Sequence, residues 1–385
     1  MSDFLHGVEV ITVDNGPYPI KTVKTSVIGI IGSAPNASEE FPLNKPILVS
    51  QQNQIKDLGD TGTLPDALNA IYQQCAALCV VVRVKGEELI DESIKQNNEV
   101  KSNEEDAQES VFQALIEAES TLGVRPKILI APGISRHKGV IEELNNVANK
   151  LKAIAVIDGP NEDNQNAIKL ANGLGSKRLY LIDPAVKVWD NQQQDFAIKP
   201  ASPYVAGLIA QADNARGFWW SPSNQLISGI VGTARPIDFV MGDKTSSANL
   251  LNEQKIATII NQNGYRLWGN RTLSADATWS FLQVVRVADI INESILRAHL
   301  WAIDRNIGKT YYDDVMESIN SYLRHLQQLG AILGGQCSVD KEKNPISEIS
   351  QGHVTFEFDF TPPVAAEHIT IESKLVNHYF ANALQ

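Results

Sequence analysis

The sequence predicts an α/β fold: a parallel sheet covered by helices, a smaller α+β region toward the carboxyl end, and a short strand arm at each terminus. Three observations carry this. Apolar, β-branched runs alternate with helix-spaced segments through the first half, joined by short links. After Gly264 the pattern changes to long helical periodicity followed by a strictly alternating strand. Both ends carry strand patterns set off from the body by proline-containing breaks.

In chain order, Gly7–Val13 is rich in β-branched residues and reads as a strand, broken by Asn15-Gly16-Pro17-Tyr18-Pro19. Ser26–Gly32 is a continuous apolar run, the signature of a buried strand. Leu64–Cys79 has helical spacing with Pro65 in its first turn, and Val80–Val84 follows as a buried strand. Lys85–Ser110 carries nine Asp/Glu against three Lys and few large apolar residues, so an exposed acidic loop is expected, and no chemistry is assigned to it. Helices are predicted over Val111–Thr121, Gly139–Lys152 and Glu162–Leu174, and strands over Lys127–Gly133, Ala153–Asp158 and Arg178–Asp183. A helix around Tyr204–Asn214 precedes an irregular Gly-, Pro- and Trp-rich stretch, Arg216–Met241.

Ser247–Asn261 has helical spacing, as do Asp276–Asp304 and Thr310–Leu329. In His353–Thr361, Val354, Phe356, Phe358 and Phe360 share one face and Thr355, Glu357 and Asp359 the other, which predicts a half-buried antiparallel strand. Pro362-Pro363 breaks it, and His368–Glu372 reads as a final short strand. Short terminal strands need an edge to pair with. They either complete a sheet of their own subunit or complete a neighbour's sheet by strand addition.

Bulk properties narrow the function. A chain of 385 residues, 43% hydrophobic and 20% charged, fits a soluble protein of two or three domains. A net charge of -12 argues against nucleic-acid binding, which needs a basic face to neutralise phosphates. No apolar run reaches the ~20 residues of a membrane span, and Met1–Val10 lacks the pattern of a secretory signal. Cys75, Cys79 and Cys337 are too few and too odd in number for a disulfide framework; reduced thiols in a bacterial-type cytoplasm are expected.

Candidate chemistry is weak throughout. Gly29-Ile30-Ile31-Gly32 follows a strand but lacks the three-glycine dinucleotide pattern. Gly173–Lys177 superficially suggests a phosphate loop, yet sits at a helix C-terminus, where no free N–H groups point outward. Cys75 and Cys79 lie four apart on a predicted helix with no further ligand pair, so core packing is expected. His299 and His325 sit on separate helices outside any His-Glu-x-x-His motif. Asp158 and Asp183 close strands at the carboxyl edge of the sheet, where α/β enzymes place acids. A hydrolase acting through them would also need a nucleophile elbow, and no Gly-x-Ser-x-Gly is present. Both are also ordinary turn formers before Gly159 and Pro184. Phe218-Trp219-Trp220 is the densest aromatic cluster, suited to packing or subunit contact more than to ligand stacking.

That cluster belongs to a longer run: Ser202-Pro203-Tyr204-Val205-Ala206-Gly207-Leu208-Ile209-Ala210, then Arg216-Gly217-Phe218-Trp219 and Ser221-Pro222-Ser223-Asn224. The run resembles the central signature of contractile tail sheath proteins of the short, P2-like and R-type-pyocin class. His6–Val10, Ala118–Ser120 with Leu122–Leu129 and Ala131–Gly133, and Gly264–Leu273 resemble other parts of that family, in order and over nearly the whole chain.

The resemblance implies a structural subunit with no catalytic residues, no cofactor and no metal. It implies a subtilisin-like α/β domain without protease chemistry, spanning residues 21–263 on the outer side of a sheath. Residues 264–365 would form the inner α+β domain, and residues 1–20 and 366–385 the exchange arms. Strand exchange would involve Val8, Val10, Ile11 and Val13 of the first arm, Val354, Phe356, Phe358 and Phe360 of the receiving strand, and Ile369 and Ile371 of the second arm. Asp313, Asp314, Glu317 and Arg324 are the expected tube-facing residues. The implied partners are other copies of the chain in a helical polymer, the inner tail tube protein, and baseplate and tail terminator proteins. Nucleic-acid binding and membrane insertion are not expected. The implied setting is a virion tail or phage-tail-like particle assembled in the host cytoplasm.

Overall fold

The computed structural model describes residues 19–85, 111–190 and 193–378. Its centre is an eight-stranded sheet. Six strands run parallel: β1 (Ile28–Ser33), β3 (Cys79–Val84), β4 (Ile128–Ile130), β5 (Ile154–Asp158), β6 (Leu179–Ile182) and β10 (Ile256–Asn261). Antiparallel strands close both edges: β2 (Pro46–Val49) on β3 and β11 (Tyr265–Trp268) on β10. The order is β11-β10-β6-β5-β4-β1-β3-β2. The parallel strands are nearly continuous Ile, Val and Leu because both of their faces are covered.

Two helical layers do the covering. Against one face lie α1 (Thr63–Gln74) and α5 (Ser202–Arg216), packed on Ile28, Ile30, Val156 and Tyr180. Against the other lie α2 (Gln113–Leu122), α3 (Lys138–Leu151), α4 (Asn164–Asn172) and α6 (Ser247–Glu253), packed on Ile31, Val80, Val82 and Leu181. The alternation of Ile30 and Ile31 between the two layers is the period-2 geometry of a strand. The glycines of β1 admit this packing. A Cβ at Gly32 would stand 2.5 Å from Thr63 Oγ1, and one at Gly29 3.0 Å from Leu129 and Pro126. Beside the main sheet, β7 (Val186–Asp190) and β8 (Asp195–Lys199) form a hairpin that β9 (Gly232–Thr233) extends.

A third core lies toward the carboxyl end. Here α7 (Leu282–Ala298) and α8 (Lys309–Gln328) pack around Val287, Ile290, Ile291, Val315, Ile319 and Leu323. A two-stranded ribbon of β12 (Gly334–Ser338) and β13 (Glu357–Thr361) lies over them, with the short α9 (Ile346–Ile349) between its strands.

Several elements differ from the pattern reading. Ser247–Asn261 is not one helix. Lys255 adopts a left-handed φ of 62°, and the following Ile256–Ile260 is buried as β10. A short apolar run covered on both faces has no periodicity to tell strand from helix. Asp276–Asp304 contains a helix only over Leu282–Ala298, with 3₁₀ turns on either side. The strand expected from His353 begins at Glu357. Asn344 explains the delay: its side chain accepts from Thr355 N at 2.8 Å and donates to Thr355 O at 2.9 Å, taking that residue out of the ladder. His368–Glu372 is exposed and forms no strand, having no ladder partner among the described residues. The residues after Gly264 begin inside the large sheet, since Tyr265–Trp268 hydrogen-bonds to β10.

Candidate functional site

The carboxyl edge of the sheet is where an enzyme of this class would work. Asp158 is half-buried there, with its carboxylate engaged. Its carboxylate accepts from Ser135 Oγ at 2.9 Å, Ser202 Oγ at 2.6 Å and Ser202 N at 2.8 Å, so it caps the N-terminus of α5. Burial pushes its pKa above the ordinary carboxylate value, and these hydrogen bonds oppose the shift. Asp183 is fully buried, pairs with Arg235 and accepts from Asn161 N at 2.9 Å. Burial raises its pKa too, against the pull of the Arg235 guanidinium. Among the described residues neither carboxylate has a histidine as a hydrogen-bond partner. Both hold the loops after β5 and β6 in place.

The remaining polar candidates are also occupied by packing. Cys75 Sγ lies 3.4 Å from Gly207 O, its pKa pushed up to about 11 by burial, and Cys79 sits inside the core. His299 Nδ1 contacts Ile295 O at 2.7 Å, and His325 is exposed near the end of α8. Among the described residues no group of three or more His, Cys, Asp or Glu is placed to hold a metal ion. No helix among them is long and apolar enough to cross a membrane. Phe218 is buried against the carboxyl core, edge-to-face with Trp219 at 5.1 Å. Gly217 is needed there: its φ is 106°, and a Cβ would meet the Trp219 ring at 2.4 Å. Trp220 is exposed, with Arg216 over its ring at 5.4 Å.

The buried charges that matter for the architecture lie on α7. Arg286, Asp289 and Glu293 fall on one stripe of the helix and face the α/β domain. Arg286 Nη1 donates to Asp213 at 2.6 Å, and Arg286 Nη2 reaches Thr25 O at 3.2 Å. Asp289 accepts from both ends of the Arg178 fork, one bond at 3.0 Å. Glu293 pairs with the buried Lys127, whose pKa burial lowers while the carboxylate raises it. Arg297 extends the row to Glu119 at the surface. Pattern reading missed this row, although charges at i, i+3 and i+7 in an otherwise apolar helix are a legible signal: such residues are rarely buried unless paired.

The resemblance-derived residues divide by place. Val8, Val10, Ile11 and Val13 lie outside the described residues. The described chain starts beside the carboxyl core: Ile20 and Val23 pack on it, Val23 N donates to Ser294 Oγ at 3.1 Å, and Thr22 Oγ1 is 3.1 Å from Tyr322 OH. Phe356, Phe358 and Phe360 share a half-buried face that turns inward, Phe356 lying 5.8 Å from Tyr312 and Phe358 stacking on Phe360 at 6.0 Å. Val354 is half-buried ahead of β13. Within the described residues β13 has β12 alone as its ladder partner, in the register Gly335↔Phe360 and Cys337↔Phe358. Ile369 and Ile371 are 74% and 87% exposed, away from that ribbon's core. Asp313, Asp314, Glu317 and Arg324 all lie on the outward face of α8, with Glu317 and Arg324 ion-paired.

A body whose sheet-edge acids are held in hydrogen bonds and an ion pair, and whose carboxyl region presents a two-stranded ribbon and an arm with exposed apolar residues, has the makings of a structural subunit. The comparisons agree. Residues 107–273 match the family model of the phage tail sheath protein central domain, and residues 274–375 that of the phage tail sheath C-terminal domain. A relative from Pseudomonas aeruginosa (strain UCBPP-PA14), named as a prophage major tail sheath protein, is 39% identical over 384 residues, covering 99% of each chain. The tail sheath protein of Escherichia phage P2 is 32% identical, covering 99% of this chain and 98% of that one. Among solved structures, the contracted helical sheath of the anti-feeding prophage superposes with a TM-score of 0.72 at 19% identity, covering 97% of this chain and 99% of that one. The contracted sheath complex of the PVC extracellular contractile injection system gives 0.70 at 17%, covering 97% and 98%. The chain belongs to the phage tail sheath family. It is a structural subunit of a contractile tail sheath, a component of a phage tail or phage-tail-like particle.

Proposed function

We propose that the subunit polymerises around an inner tail tube through exchanged β-strands, and that sheath contraction drives the tube through a target envelope without nucleotide. One observation supports this reading: a two-stranded ribbon, β12–β13, with a half-buried aromatic face and no third strand among the described residues, on a subunit whose carboxyl arm has Ile369 and Ile371 exposed. A ribbon of two strands is marginal alone and gains from added strands. Residues 366–385 of one copy and residues 1–20 of another are the strands we assign to it, received along Val354–Phe360. Val8, Val10, Ile11 and Val13 would supply the apolar positions of the first arm. Each contact is head-to-tail, so the product is a helical tube.

On this reading residues 21–263 form the outer domain, with the subtilisin-like arrangement the family resemblance suggests. Residues 264–365 form the inner domain, with β11 as the seam between them. Asp313, Asp314, Glu317 and Arg324 face the tube: exposed, charged side chains on a smooth helix give a contact weak enough to release on contraction. Baseplate and terminator proteins would bound the polymer, and assembly would take place in the host cytoplasm. The extended sheath stores its work kinetically, as a metastable assembly.

Electron microscopy of the full-length chain beside one lacking residues 1–20 tests this. Hollow tubes from the full-length chain and none from the truncated one are expected. Tubes from both would remove the amino-terminal arm from the assembly mechanism. Small particles from both, even with tube and baseplate partners added, would overturn the reading.

A further inference from the structure

The carboxyl arm leaves the subunit at a defined point. Arg271 lies just after β11, on backbone tied down from both sides. Tyr180 OH donates to Gly269 O at 2.5 Å, Leu273 N to Leu179 O at 3.0 Å, and Leu282 N to Asn270 O at 2.8 Å. Asn270 and Thr272, its neighbours, are buried. From this ledge the Arg271 guanidinium lies 5.1 Å from the Phe281 ring and grips Glu367: Nε stands 2.9 and 3.0 Å from the two carboxylate oxygens, and Nη2 bonds one of them again. A fork that engages both oxygens and rests on an aromatic ring restricts direction as well as distance.

Between Pro362 and Asn377, among the described residues, the other side-chain hydrogen bond is Thr370 to His368, within the arm itself. Val364 before the clamp, and Ile369, Ile371 and Leu375 after it, are exposed. At its root the arm is held by the Arg271–Glu367 ion pair, while Val364, Ile369, Ile371 and Leu375 stay exposed.

We propose that Arg271, through Glu367, is the positioning residue that aims the carboxyl arm at a second copy of this chain; the proposal rests on the strand-exchange reading above. Beyond Glu367 run the eighteen residues His368–Gln385, which span at most about 60 Å when extended. An arm free at its root spreads its far end over a volume of that radius. Fixing the root raises the effective concentration of the strand at the neighbour's edge and lowers the ordering cost of docking. The pair is partly exposed, at 39% for Arg271 and 35% for Glu367. It is thus accessible to solvent and contributes modestly, as a guide to assembly more than as a support of the fold.

The test is sheath polymerisation by the full chain, read as critical concentration by pelleting and as tubes by negative-stain microscopy. The set is Arg271→Glu, Glu367→Arg, the double exchange, Glu367→Gln, and a chain ending at Glu367, each checked for an unchanged thermal midpoint. Each charge reversal and Glu367→Gln should raise the critical concentration about 5-fold. The double exchange should bring it back to within about 2-fold of the native chain. The truncated chain should form no tubes. If the single variants polymerise like the native chain while the truncated one fails, the arm reading stands and the clamp is overturned. If the truncated chain forms normal tubes, the arm reading falls and the clamp with it. A double exchange as poor as its parents, with folding intact, also overturns the clamp, because the loss would not come from the pairing.

Discussion

The carboxyl domain has two very different faces. Toward the α/β domain, α7 presents Arg286, Asp289 and Glu293, each buried and each matched by Asp213, Arg178 or Lys127. Away from it, among the described residues β12 and β13 pair only with each other, and Ile369, Ile371 and Leu375 of the arm after Glu367 are exposed. The inward face is closed and specific. A buried ion pair gives little net stability over apolar packing, but it penalises any arrangement that separates its members. A row of three such pairs holds the two domains in one relative orientation. The outward face is exposed, and under the proposed strand exchange it would gain stability from a second chain. The contrast fits the strand-linked assembly proposed above.

The largest expected effect comes from breaking the closed face. Asp289→Leu strands the Arg178 guanidinium in the interior and should cost about 3–5 kcal/mol in urea unfolding. Adding Arg178→Met should return most of it. If the double variant is then stable but forms irregular or non-contracting tubes, the row acts on orientation, as argued; normal sheaths from it would remove that role. Next in size is Phe358→Ala, which takes a half-buried ring off the carboxyl core. It should cost about 2 kcal/mol, measured the same way. A loss below 0.5 kcal/mol would mean that the ribbon acquires its packing only in the polymer.

Asp158 sharpens the comparison from the other side, as a half-buried acid held, among the described residues, by hydroxyls and a backbone N–H. Its pKa is raised above the ordinary 3.8 by burial. A carboxyl harder to ionise when folded gives stability that is complete below 3.8 and lost as pH rises through the raised value. Asp158→Asn resembles the protonated form. It should therefore melt at or above the native chain at pH 7, with the difference shrinking as pH falls toward 4. A difference that grows on acidification would assign the carboxylate a stabilising charge instead. The smallest effect belongs to the exposed Glu317–Arg324 pair, where Arg324→Ala should change unfolding by less than about 0.5 kcal/mol. Any large consequence should appear only in co-sedimentation with the tube protein.

Much of the α/β domain was legible. Val80–Val84, Ala153–Asp158 and Arg178–Asp183 are apolar runs bounded by turn formers, and the helices between them repeat at helical spacing, so local pattern and tertiary environment agree. The strands that escaped carry little pattern of their own. Gly334-Gly335-Gln336-Cys337-Ser338 is β12 only because β13 lies beside it, and Tyr265–Trp268 is a strand only because β10 offers an edge. Ile256–Ile260 was hidden for the opposite reason: it is apolar on both faces.

The aromatic face of the ribbon was legible in the sequence, and the partners of the charged residues were not. Alternation in residues 353–361 picked out the aromatic face, and Ile369 and Ile371 were picked out as a strand in need of an edge. The sequence by itself determined the α/β class, the helical carboxyl region, the acidic charge and the resemblance to a sheath family, because each depends on composition or on neighbours a few residues apart. Tertiary structure alone decided that Arg178 meets Asp289, Lys127 meets Glu293 and Arg271 meets Glu367. These partners lie roughly a hundred or more residues apart, and a charge shows no preference in the sequence for which opposite charge the fold will bring beside it.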